Sequence, residues 1–332
     1  MSITPSELRW YKSQTVSDSS ANGGRMSTVE SPSGVKNNIF PDVSLAERTA
    51  GIVRLRKLFL KVANDDDLTL FNGRVFMQLN TPGDDNVTFF PGNQRGTQAS
   101  VTGSERLYGG GRLNANVSAG ALTFVVATEG AALNYLRTGD VIRITDKTSV
   151  GGSGNEEFVT ASNVTWAGDL ATVTIPSPGL ANGYTASNTG VSSVYEAGDV
   201  KTNVTAPAIT SATGTADFVA NPILGDNIAT IEQDWTLTFT SSTAYTIVGD
   251  VVGSVGSGNI SSDATPGNPN FSGKPYFTIP SAAWGGTWAP GDTVTFTTSP
   301  AAIPVWYRQA VPAGASALSG DRVIIGLSGE SA

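Results

Sequence analysis

Apolar and polar residues alternate with a period of two over much of this chain, which is the pattern of half-buried β-strands. The clearest case is 235–240, where Trp235, Leu237 and Phe239 fall on one face and Thr236, Thr238 and Thr240 on the other. The same reading predicts strands at 245–248, 276–279 and 293–297, so one β domain is expected over 206–300. Between them, 253–271 is so rich in Gly, Ser, Asn and Pro that a long exposed loop is expected there. Upstream, the apolar run 122–126, the alternating 141–145 and two further strands split by Ala167-Gly168-Asp169 predict a small β-barrel over 113–205.

Strands at 51–62, 68–79 and 87–90 predict a β-sandwich domain over 41–112. In the first of these, Val53, Leu55 and Phe59 alternate with Arg54, Arg56 and Lys61. The alternation slips at Lys57-Leu58, where a bulge would fit. The basic residues are expected to face solvent from one side of this strand. Two last strands lie within 303–314 and 321–327 and are too few for a domain. They are expected to return to the first β region, so that 301–332 completes 41–112. The first domain is then discontinuous, and the other two are inserted into it. The fold class is mainly β: several sandwich or barrel modules behind an extended N-terminal arm.

That arm is residues 1–40, short of large apolar residues and full of chain breakers. Leu8, Trp10, Tyr11, Ile39 and Phe40 are its candidate anchors, to be buried against a neighbouring subunit. On this reading, removal of 1–40 leaves a folded β protein that no longer assembles. Residues 42–48 are expected to form one helical turn. The pair Gly-Asp recurs at 139–140, 249–250, 291–292 and 320–321, a shared turn chemistry at irregular spacing and not a repeat architecture.

Composition narrows the chemistry. The 332 residues include no His and no Cys, but 38 Gly and 17 Pro. A His general base, a thiolate nucleophile, a disulfide and an ordinary zinc site are therefore all excluded. Charged residues are only 14%, against about 25% in ordinary soluble proteins. The net charge of −8 does not suit a phosphate backbone, so no nucleic-acid partner is expected. No apolar stretch approaches the roughly 20 residues of a membrane helix, and no membrane partner is expected.

Carboxylates remain. Glu105, Glu129, Asp140, Glu156, Glu157 and Glu232 are candidates for a glycosidase pair, but nothing singles out two of them, and no enzyme is expected. The loops Asn64-Asp65-Asp66-Asp67 and Asp84-Asp85-Asn86 are oxygen-rich, yet neither has the spacing of a calcium loop. They are read as hairpin loops, with no metal and no cofactor. Trp284 and Trp288 could form a sugar-stacking platform if both lie exposed on one face.

Three stretches together resemble a known class. These are Asn22-Gly23-Gly24-Arg25, then Asn38-Ile39-Phe40-Pro41-Asp42-Val43-Ser44, then Ala50-Gly51-Ile52-Val53-Arg54-Leu55-Arg56-Lys57-Leu58-Phe59. With the strand-rich 235–240 and 291–296 and the ending 305–314, they look like virion structural proteins of tailed bacteriophages. The resemblance does not reach 113–200. It implies a multi-copy component of the neck or collar at the head–tail junction, made in the host cytoplasm and built into the virion. Its partners would be other copies of itself and other virion proteins. A baseplate or tail-tip protein with a receptor- or saccharide-binding role is the alternative, with capsid decoration beside it.

Overall fold

A computed structural model of the chain describes residues 2–128 and 133–331. The protein is mainly β, with 46% of residues in strands and 6% in helices. The strands run in chain order as β1 (Leu8–Thr15), β2 (Gly23–Glu30), β3 (Ile52–Val62), β4 (Leu70–Leu79) and β5 (Asn86–Pro91). Next come β6 (Gly110–Leu113), β7 (Thr123–Ala127), β8 (Val141–Thr145), β9 (Glu156–Thr160), β10 (Asn163–Ala167), β11 (Leu170–Thr174) and β12 (Gly190–Val200). A third group holds β13 (Asn203–Val204), β14 (Ala208–Thr210), β15 (Gly214–Ala216), β16 (Leu224–Gly225), β17 (Gln233–Phe239), β18 (Ala244–Gly249), β19 (Gly253–Asn259), β20 (Phe277–Thr278), β21 (Trp284–Gly286) and β22 (Thr293–Ser299). The chain closes with β23 (Ala302–Val311) and β24 (Ile324–Ser331). Among the described residues there is one α-helix, α1 (Leu45–Ala50), capped by Ser44, whose hydroxyl accepts from the Glu47 N–H while the Glu47 carboxylate accepts from the Ser44 N–H.

The first sheet is five-stranded and antiparallel, in the order β2-β1-β3-β23-β5. The C-terminal β23 thus lies between β3 and β5, in register with β3 over ten residue pairs from Ala302↔Lys61 to Val311↔Ile52. That ladder runs without a shift, so no bulge sits at Lys57-Leu58. The alternation slips in the sequence because both faces of β3 are covered. Leu58, Leu60 and Val62 face a core shared with Leu70, Val75 and Met77 of β4. Phe59 on the other face packs with Tyr11, Met26 and Ala302. A strand buried on both faces has no solvent side to mark with polar residues.

The second sheet has nine strands. Its first-sandwich part is β12-β4-β24, with β24 on the edge. β12 continues out of this layer: its C-terminal half pairs with β4, and its N-terminal half pairs with β6 on one side and β8 on the other. The strands β9-β8-β12-β6-β7-β11-β10 curl around one core, which includes Phe124, Val126, Ile142, Ile144, Val173 and Val191. The two strands at the ends of this path, β9 and β10, are consecutive in the chain. The middle region is therefore barrel-like. No linker marks its border with the first sandwich, because β12 belongs to both.

In the third group, β13-β22-β17-β18-β19 form the main sheet, with β14 also on β22. Its core stacks Trp235, Leu237, Phe239, Tyr245, Val294 and Phe296. The expected loop at 253–271 is instead β19 for its first seven residues, paired with β18. Backbone pairing supplies what the Gly-rich side chains do not, and a Cβ at Gly258 would fall 2.4 Å from the Tyr245 ring.

Candidate functional site

The N-terminal segment does not stand free as an arm. β1 pairs with β3 from Leu8↔Val62 to Lys12↔Leu58, and β2 pairs back on β1. Leu8, Trp10, Ile39 and Phe40 pack against the first core, and Trp10 meets Tyr307 edge to face at 5.8 Å between ring centres. Tyr11 is buried against Phe59 and Met26. The five expected anchors are all taken by their own chain. Pairing within the chain wins because β3 presents an open ladder beside a core that these side chains cover, at no cost in association entropy.

The basic residues of β3 are also not in solvent. Arg54 and Arg56 are buried under the segment before them: Arg54 pairs with Glu47 of α1, and Arg56 donates to Ser17 O at 3.0 Å and to Asp18 Oδ1 at 2.6 Å. Lys57 and Lys61 lie on the opposite face and are 1% and 0% exposed. Lys57 Nζ donates to the carbonyls of Gly24 at 2.7 Å and Gly96 at 2.9 Å. Lys61 Nζ donates to the carbonyl of Ile228 in the third group and sits 4.4 Å from the centre of the Phe271 ring. Burial pulls both amines down to about 8 from their ordinary 10.5, and the acidic charges of Glu232 and Asp226 only partly offset it.

Lys61 belongs to a polar joint between the first sheet and the third group, and Lys57 lies beside it, within the field of Glu232. Arg95 donates both terminal nitrogens to the two oxygens of Asp234, each at 2.6 Å, and its Nε to Glu232 Oε1 at 2.6 Å. Those bonds, with one from Thr297 Oγ1, hold the Asp234 carboxyl at about 2. Arg25 of β2 pairs with Asp250, and Lys274 pairs with Asp65. Asn227 N donates to Asp67 Oδ1 at 2.6 Å, and its side chain to Leu68 O at 2.9 Å. The acidic loop 64–67 is therefore part of the fastening and not a solvated hairpin tip. Planar, bidentate pairing of this kind fixes orientation as well as position.

The carboxylates considered for hydrolysis are dispersed among structural partners. Glu105 accepts from Thr102 and Gly103 N–H groups, Asp140 pairs with Arg106, and Glu156 with Arg143 and Lys147. Glu157 accepts from the Ala181 and Asn182 N–H groups, and Glu232 is held by Arg95. Glu129 lies outside the described residues. Among the described residues no group of three acidic side chains converges as a metal site, and no helix is long and apolar enough to cross a membrane.

Trp284 and Trp288 do not form an exposed platform. Trp288 is 2% exposed and stacks on Phe239, with ring centres 4.2 Å apart. Trp284 is half-buried and meets Trp288 at 83°, so the two rings share no plane. Their large areas fill the third core, the commoner use of Trp in a small β fold. The residues of the joint were not foreseen, because Arg95 and its acids are more than 130 positions apart and no local pattern links them. The usable signal was the charged residues on both faces of β3.

No protein-family model, no curated protein and no solved structure matches this chain.

Proposed function

We propose that the protein is a structural component of a tailed-phage particle, a multi-copy neck or collar protein at the head–tail junction, and not a catalyst. The observation that carries this reading is the joint. Arg95, Lys61, Arg25 and their partners fasten the first sandwich to the third group, and β12 runs unbroken from the first sandwich into the barrel-like region, which suits a part that must keep its shape within a larger assembly. The sequence resemblance at both ends of the chain supports the same class. Free sheet edges are the natural places for contact: β2 ends the first sheet and β24 ends the second. Such edges carry unpaired backbone donors and acceptors that a neighbour can extend. In a closed ring the contact is head-to-tail, one edge meeting a different surface on the next copy. The N-terminal segment then acts as a wall of the first sheet, with its outer edge as the contact, and not as a loose clasp.

The test is immunogold electron microscopy of purified phage particles whose genome encodes this chain. Gold at the head–tail junction supports the neck reading. Gold at the tail tip or over the head moves the protein to the baseplate or to capsid decoration. Absence of the chain from the dissociated particles, judged by mass spectrometry, removes the virion reading.

A further inference from the structure

The first sandwich and the barrel-like region meet at a cleft of about 250 Å³. Among the described residues its walls carry three cations, Arg112, Lys147 and Arg322, and no Asp or Glu. That is an unusual wall in a chain of net charge −8. Lys147 and the buried Arg143 share one carboxylate, Glu156, so this trio keeps a surplus positive charge. Arg112 and Arg322 are exposed and make no ion pair among the described residues. Asp321 neighbours Arg322 in sequence but turns to Asp85.

Neutral hydrogen-bonding groups line the same cleft, among them Thr148, Asn188 and Thr189. Thr189 is 2% exposed, and its hydroxyl has no hydrogen-bond partner among the described residues. Buried hydroxyls are nearly always paired, so this one, on a residue that lines the cleft, leaves a hydrogen-bond demand unmet at the cleft wall. The volume lies just below the roughly 300–1,000 Å³ of drug-sized sites and has room for one sugar ring.

We propose that this cleft binds a sugar acid, a single pyranose unit bearing a carboxylate. The carboxylate meets the Arg112, Lys147 and Arg322 side, and ring hydroxyls meet Thr148, Asn188 and Thr189. A bare phosphate would satisfy the cations but leave the neutral groups unused and the space unfilled. A neutral sugar would leave the cations without a counter-charge. The inference does not depend on where the protein is built in.

The test uses the full chain and isothermal titration with D-glucuronate, with D-glucose and inorganic phosphate as comparison ligands. Saturable glucuronate binding is expected, weakened by added salt as exposed charges are screened. Arg112→Gln and Arg322→Gln should each lower the affinity about tenfold, the loss expected for one charge-assisted hydrogen bond. Both arginines are exposed, so their melting temperatures should match the parent's, which separates lost binding from lost folding. Thr189→Val should lower the affinity for glucuronate and leave phosphate competition unchanged. The proposal is overturned if glucuronate shows no saturable heat, if glucose binds as tightly, if phosphate outcompetes glucuronate, or if Arg322→Gln keeps the parent affinity.

Discussion

Stability should rise with pH between 7 and 9.5, against the usual trend of a protein with an acidic balance. The cause is the buried pair Lys57 and Lys61, held at about 8 in the folded chain against 10.5 when free. Between those values the unfolded chain binds more protons than the folded one, so raising the pH favours the fold. Working the two-state titration from those values gives about 2 kcal/mol per lysine over this window, or about 4 kcal/mol for the pair. Few other groups titrate over most of this window: the chain has no His and no Cys, and Asp321 titrates lower, at about 6. The buried and half-buried tyrosines are raised above 10 in the fold, so they ionise first in the unfolded chain and begin to oppose the gain only toward pH 9.5. Urea denaturation at pH 7, 8, 9 and 9.5 measures the slope. Lys61→Met keeps the shape of the side chain without the charge, and it should roughly halve the gain. A flat or falling stability over this range, or a full slope retained in Lys61→Met, would refute the reasoning.

Arg95→Ala removes the cation shared by Glu232 and Asp234. It should cost about 1–3 kcal/mol, a figure reduced because Arg95 is 39% exposed, and limited proteolysis should then cut faster at the crossings near 201 and 300. Trp306→Ala should cost about 3–5 kcal/mol in thermal melts, since Trp306 is buried, stacks on Phe90 and lies against Gly23 and Gly92. Deletion of 1–40 should abolish the cooperative melt, because it strips β1 and β2 from the first sheet and bares β3; a sharp melt at the parent temperature would contradict that.

Fold class was legible because alternation is a local property. Trp235, Leu237 and Phe239 fall on one buried face in the structure as their spacing indicates. Strands 51–90 lack partners of their own in the sequence, which points the late strands back to them, and β23 pairs with both β3 and β5. What failed was anything decided by coverage at long range. Arg54, Arg56, Lys57 and Lys61 read as a solvent stripe because sequence does not show that a second layer covers each face. Leu8, Trp10 and Tyr11 read as anchors in search of a surface, and the surface turned out to be 50 residues away in the same chain. Gly253–Asn259 looked like a loop because its strand identity comes from the neighbour β18, not from its own side chains.

β12 has a consequence for how such a chain can evolve. One continuous strand pairs with β4 at one end and with β6 and β8 at the other. The barrel-like region is thus not a cassette that recombination can lift out and replace. An exchange that took 113–200 would also remove the strand that β4 leans on, and the incoming piece would have to match residues 70–79 as well as itself. Diversity should therefore enter this part of the molecule by point change and loop insertion, while whole-unit replacement is easier for the third group of strands, whose chain connections are the two crossings near 201 and 300, provided the incoming piece again meets Lys61, Arg25 and Arg95.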